Sequence, residues 1–287
     1  MTQVSTLGSV QAPLDSARLT EALVAQGPYA QVNVVSEVGS TNSELIREAG
    51  QRPHLTALLA EFQTQGRGRR HLGEATPRAW LAPPRSSLLA SVLVRPPAAG
   101  APTTLLGLAF GLAAVRSLDL VAPGSGLKWP NDIVLGGRKI GGLLAQVASG
   151  GAVVIGLGLN VSQTASQLPA PAAPGAPRPG SLALLGAVGV DRTWLAIAYL
   201  AAAAGLCERW ARGEADLLDG IGQRMTTLGR DVLVELPSAE TLSGRAAGLD
   251  RDGALVIRAG GGCSTRVVAG EVRLAPPADG REGRLDD

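Results

Sequence analysis

Aromatic residues make up only 3% of this 287-residue chain, so Leu, Val, Ile and Ala must fill its core. An excess of one charge is also missing. The 26 Lys and Arg stand against 24 Asp and Glu, and a net charge of +2 lacks the strongly basic face of a nucleic-acid binder. Cys207 and Cys263 are far apart and without metal-ligand spacing. That argues against a structural zinc site and for two free thiols in a reducing compartment. No apolar run approaches the ~20 residues of a membrane-spanning helix. Residues 1–10 have no basic start followed by an apolar core, so no secretory signal is expected. The P-loop spacing GxxxxGK[ST] is absent, as is any repeat of solenoid period. What remains is a cytoplasmic protein with neither a membrane nor a nucleic-acid partner.

The residues present suggest an α/β (α+β) chain in two parts. Residues 1–13 read as a disordered lead, 14–228 as the main domain, 229–275 as a small β domain and 276–287 as a disordered tail. Apolar periodicity and caps predict helices over 15–25, 40–49, 103–118, 191–212 and 214–227, with Glu44 as a capping-box partner in the second. β-Branched and apolar runs predict strands over 32–38, 55–61, 88–95, 127–129, 132–135, 142–147 and 152–161. Residues 63–86 and 164–180 read as long loops. After Gly229, short strands over 231–236, 242–248, 255–257 and 266–268 suggest a small β-barrel. The turn Asp250-Arg251-Asp252-Gly253 lies between two of them.

Three polar islands interrupt this pattern. Gly66-Arg67-Gly68-Arg69-Arg70 combines glycines, which let backbone N–H groups approach an anion, with guanidinium forks that match phosphate or carboxylate; a solvated basic loop is the plain alternative. Ser40-Thr41-Asn42 offers hydroxyls and an amide to a ring carbonyl and ring N–H groups, or simply caps a helix. Lys128-Trp129-Pro130-Asn131-Asp132, with Lys139 beyond it, adds two cations and an Asn-Asp pair. Gly156-Leu157-Gly158-Leu159-Asn160 is not a dinucleotide fingerprint, because it lacks the third glycine and ends a strand.

In this order the islands resemble the motifs of the bacterial biotin–protein ligases: GSTN at 39–42, the QTxGRGR loop at 63–69, KWPND at 128–132, KxxGxL at 139–143, GxGxNV at 156–161 and an LGRxVxV segment at 228–234. The match runs over nearly the whole chain. The resemblance implies a catalytic core like that of class II aminoacyl-tRNA synthetases, with a mixed sheet and helices, plus a C-terminal SH3-like β-barrel. It implies an ATP-dependent ligase that makes biotinyl-5′-AMP, with Mg²⁺ accompanying ATP, and then biotinylates one lysine of a biotin carboxyl carrier domain of acetyl-CoA carboxylase or a related carboxylase. Lys139 and Arg69 would be catalytic. Ser40, Thr41, Asn42, Gln63, Gly66, Arg67, Gly68, Arg69 and Lys139 would bind biotin. Arg69, Arg70, Arg78, Trp80, Asn131, Asp132 and Asn160 would meet ATP or the adenylate. No metal ligand of the protein itself is assigned. Fewer than 40 residues precede GSTN, so the short form without a DNA-binding domain is expected, as monomer or homodimer. Residues 71–77 lengthen the stretch before Arg78 and Trp80, and Gln146 stands where the family usually has Glu. A non-catalytic biotin binder and a lipoate or octanoate ligase are the alternatives.

Overall fold

Seven strands build one mixed sheet in the computed structural model, which describes residues 12–70, 77–97, 102–171, 176–238, 240–260 and 262–275. Of the ends expected to be disordered, 1–11 and 276–287 lie outside these residues. Asp15 caps α1 (Ser16–Thr20), accepting the Arg18 N–H at 3.0 Å, and one wider helical turn continues to Ala25. After β1 (Gln31–Val35), Ser40 caps α2 (Thr41–Arg47) through the Ser43 N–H. The capping-box role read for Glu44 does not hold. With Ser40 at the cap, Ser43 takes the third helical position, and Glu44 pairs with Arg47 instead.

β2 (Thr56–Ala60) runs parallel to β1. The segment 63–86 is not a loop throughout. β3 (Arg67–Arg70) and β4 (Pro77–Ala79) pair within it as an antiparallel arm. Gly and Arg give no apolar alternation by which to read a strand, so the arm was invisible. β5 (Ser87–Val94) is buried at every position, and α3 (Thr104–Leu118) follows. β6 (Gly126–Lys128), β7 (Asp132–Leu135), β8 (Arg138–Val147) and β9 (Val153–Asn160) complete the sheet in the order β1-β2-β5-β9-β8-β7-β6. β8 begins at Arg138 rather than at 142, because Gly136 and Gly137, with φ of 54° and 73°, turn β7 straight into it.

Period-two alternation decides what each face of the sheet does. Leu88, Ala90, Val92 and Val94 of β5, with Val153, Ile155, Leu157 and Leu159 of β9, enter the main core. α3 covers that face together with α4 (Arg192–Ala211), which Asp191 caps through the Thr193 and Trp194 N–H groups. On the opposite face Leu93 and Val154 pack under Leu45 of α2. Beyond Leu93 and Val154 that face carries Ser91, Gly156, Gly158 and Asn160, with Leu89 beside them.

Arg192, the first residue of α4, is sealed, with its side chain 1% exposed, and pairs with Glu61 at 2.7 Å. It also donates to the carbonyls of Ser87 and Ala12. Glu61 in turn accepts the Leu14 N–H. Removing one partner of a buried pair leaves the other charge uncompensated, at a cost of about 3–5 kcal/mol. Arg192→Met is therefore expected to lower stability by that amount in urea unfolding. Wild-type stability in the variant would show that the pair is dispensable.

α5 (Asp216–Arg224) leads to a five-stranded antiparallel sheet, the SH3-like β domain. Its strands are β10 (Asp231–Glu235), β11 (Thr241–Leu249), β12 (Leu255–Arg258), β13 (Ser264–Val267) and β14 (Glu271–Leu274), in the order β13-β12-β11-β10-β14. β14 is absent from the sequence reading, since four residues with two charges carry little strand signal. No β13–β14 ladder closes the sheet into a full barrel among the described residues.

Candidate active site

A cavity of about 460 Å³ opens on the polar face of the large sheet. Its two ends differ in chemistry. At one end the helix start Ser40–Asn42 is buried, and its polar atoms are nearly all spoken for. Gln63 Oε1 accepts from both the Thr41 N–H (2.8 Å) and the Thr41 hydroxyl (3.0 Å). Asn42 Nδ2 donates to the Leu144 carbonyl (3.0 Å) and to Gln146 Oε1 (2.8 Å). The Ser91 hydroxyl, fully buried in β5, lies 2.7 Å from Thr41 Oγ1 and 2.6 Å from Asn42 Oδ1. Asn42 thus spends both amide protons inside the protein and turns an acceptor toward Ser91. This neutral network is rigid, and it offers a ligand polar groups without charge.

The other end is cationic. The Lys139 ammonium sits 2.5 Å from Asp132. The Arg69 guanidinium donates to Asn131 Oδ1 at 3.2 Å, and Asn131 Nδ2 donates to the Leu143 carbonyl. Lys128 and Arg78 line the cavity too. Burial pushes the Lys128 ammonium below the ordinary lysine value, with Lys139 and Arg69 adding to the effect and Asp132 and Glu271 opposing it. Lys139 is held by its backbone as well. Its N–H donates to the Arg178 carbonyl (2.9 Å), and its carbonyl accepts from Gly180 (2.8 Å). Proline-rich chain around Pro177 and Pro179 therefore forms one wall.

The β3–β4 arm brings Arg67, Gly68, Arg69, Arg78 and Trp80 to the cavity. The longer stretch before Arg78 does not displace Trp80, whose backbone N–H donates to the Gly66 carbonyl at 2.8 Å. Gly66 itself stands behind the wall, where a Cβ would run into the Trp80 carbonyl. Arg70 ends β3, opposite Pro77 in register, and residues 71–76 lie outside the description. Two residues facing each other in a ladder need a connecting turn of at least about two residues. Replacing 71–76 by Asn-Gly is therefore expected to preserve ligand affinity, whereas deleting all six breaks the arm. Loss of binding in the Asn-Gly variant would make those residues part of the site.

Bare backbone forms the floor. A Cβ on Gly158 would sit 2.5 Å from Trp80 Cε2, and one on Gly156 would collide with the Asn42 amide. Overpacking of this kind costs about 1–3 kcal/mol. Gly158→Ala is expected to weaken ligand binding about tenfold by calorimetry, and unchanged affinity would show that Trp80 can move aside freely.

Asn160 also lines the cavity, but its amide is already engaged, donating to the Gly180 carbonyl and accepting from Gln163. Sequence reasoning missed Ser91, Leu144 and the contribution of the C-terminal sheet, from which Glu271, Val272 and Arg273 reach the wall. No motif marks β14. Among the described residues, no group of three or more His, Cys, Asp or Glu converges as a metal site. Asp132 is occupied by Lys139, so a divalent cation arriving with a nucleotide would draw its oxygen ligands mainly from phosphate. Among the described residues no helix is long and apolar enough to cross a membrane.

Comparison with known proteins places this geometry. Residues 36–160 match the biotin/lipoate A/B protein ligase family, and residues 227–274 match the biotin protein ligase C-terminal domain. The chain is 35% identical over 259 residues to a biotin–[acetyl-CoA-carboxylase] ligase of Mycobacterium tuberculosis, covering 87% of this chain and 91% of that one. It is 28% identical to the enzyme of the same name from Paracoccus denitrificans, over 78% of this chain and 93% of the relative. Among solved structures, the biotin protein ligase from Aquifex aeolicus in complex with biotin and ATP superposes with a TM-score of 0.70 at 25% identity, over 86% of this chain and 99% of that one. With both family regions present in order and a relative matched along nine-tenths of its length, the chain belongs to the biotin–protein ligase family.

Proposed function

We propose that this protein activates biotin with ATP and transfers it to a lysine of a biotin carboxyl carrier domain. The observation that carries this reading is the polarity of the cavity, with a neutral hydrogen-bonding end and a cationic end on one sheet face. Biotin has the matching shape, a neutral ureido ring at one end and a carboxylate at the other. In the first step a carboxylate oxygen bonds to the α-phosphorus of ATP and pyrophosphate leaves. In the second step a lysine ε-amine bonds to the acyl carbon, AMP leaves and the amine gives up a proton.

Ser40, Thr41, Asn42 and Gln63 are suited to hold the ring system. Two anions must meet at the other end, and Lys139, Arg69 and Arg67 offset their repulsion and the charge developing at phosphorus. We assign Lys139 as the main catalytic cation, with Asp132 fixing its ammonium. Arg78, Trp80 and Asn131 belong on the adenylate side. Mg²⁺ enters as part of the nucleotide substrate. Arg69, reaching from the arm to Asn131, is suited to close the arm over the adenylate and keep water from the anhydride.

Biotin-dependent exchange of labelled pyrophosphate into ATP tests the first step, with lipoate as the parallel substrate. Exchange with biotin alone is the expected result. Exchange with lipoate would reassign the substrate, and tight biotin binding without exchange would leave a binding protein.

A further inference from the structure

We propose that the β11–β12 turn of the C-terminal domain positions the catalytic turn at Trp129–Asp132, through a hydrogen bond from the Trp129 indole to the Gly253 carbonyl. Trp129 is 2% exposed, and a buried indole N–H must find an acceptor. It finds one at 3.1 Å on Gly253, 124 residues further along the chain. The Trp129 backbone N–H is held as well, by Thr227 Oγ1 at 2.9 Å. The residue that joins Lys128 to Asn131 and Asp132 is thus fixed twice by the segment that opens and builds the C-terminal domain.

The tip is shaped for this contact. Gly253 has φ +83°, and a Cβ there would lie 2.8 Å from Leu108 of α3. Glycine alone brings its carbonyl this close to the main domain. Thr104, at the start of α3, donates to the Asp252 carbonyl at 2.8 Å, and Arg266 of β13 pairs with Asp250 and Asp252. An anchored tip therefore presses one acceptor against Trp129. From there the turn carries Asp132 to Lys139 and Asn131 to Arg69, which is the cationic end of the cavity. The neutral end hangs from Gln63, Ser91, Leu144 and Gln146, none of which belongs to the C-terminal domain.

The inference rests on the ligase reading and makes a split prediction. Loosening the tip should slow adenylation and spare biotin recognition. Trp129→Phe removes the indole N–H and keeps most of the apolar bulk, and Gly253→Ala displaces the acceptor. In full-length protein, pyrophosphate exchange is measured per active site, titrated by the burst of adenylate, beside KM for biotin and Tm. A lost buried hydrogen bond corresponds to about a fivefold to tenfold lower kcat. KM for biotin should stay within about twofold, and the double variant should be no slower than the slower single one, because both changes break one contact. A purely structural contact would lower Tm and leave kcat per active site at the wild-type value, and that outcome overturns the proposal. So does a rise in KM for biotin that matches the fall in kcat. If Gly253→Ala fails to fold, Trp129→Phe decides alone. Absence of exchange in the wild type overturns the ligase reading itself, and this inference with it.

Discussion

Lys139→Ala lowers biotin-dependent pyrophosphate exchange by about 10²–10³-fold while the fold survives, because a fixed donor aimed at developing charge is worth that much in a closed site. The two halves of this expectation come from different atoms. The Lys139 backbone is tied to Arg178 and Gly180, and an alanine keeps both bonds. The side chain is 34% exposed, so its pair with Asp132 contributes at most about 1 kcal/mol to stability after solvent screening. On the role proposed for Lys139, what the variant loses is the cation beside the acyl phosphate, and Asp132 loses its ammonium partner. Exchange assays beside a thermal melt check the separation. Wild-type turnover in Lys139→Ala would remove this residue from the mechanism.

Arg69→Ala is the second large effect, and it falls on fidelity more than on rate. Arg69 links the β3–β4 arm to Asn131. A hydrogen bond with one charged partner is worth about 1.5–3 kcal/mol, so its loss speeds release of the adenylate about tenfold to hundredfold. The freed anhydride then acylates whatever amine it meets. Mass spectrometry of an unrelated bystander protein in the reaction should find biotin on many lysines with the variant and on few with the wild type. Labelling still confined to the carrier domain would mean that the arm does not retain the intermediate.

Much of the fold could be read in advance where apolar residues carried a period. Ser87–Val94, Val153–Asn160, Thr104–Leu118 and Arg192–Ala211 all announce themselves by apolar runs, and the last by its Asp191 cap as well. The β3–β4 arm did not, because its strand is made of arginine and glycine and its pairing is set by backbone bonds such as Trp80 to Gly66. β14 did not either, since its burial depends on partners nearly forty residues away at β10. The islands were visible as polar residues between apolar runs, and 40–42, 67–69, 128, 130–132 and 139 line one cavity. Ser91 was hidden for the opposite reason. It is one hydroxyl in an apolar strand, and only its neighbours across the sheet reveal that it braces Thr41 and Asn42. Gly66, read as a ligand contact, accepts the Trp80 backbone N–H and leaves no room for a Cβ beside the Trp80 carbonyl.

β9 spells two messages on alternate letters, one addressed to α3 and α4 and the other, at Gly156, Gly158 and Asn160, to the cavity. Such strands tolerate spelling changes and not frame changes. A substitution at 156, 158 or 160 edits the cavity and leaves the greasy side untouched, whereas one at 153, 155 or 159 does the reverse. A single-residue insertion or deletion exchanges the two alphabets at once, putting Ile155 and Leu157 under the ligand and glycines into the core. Descendants of this chain can therefore drift along β9 by replacement but not by change of length.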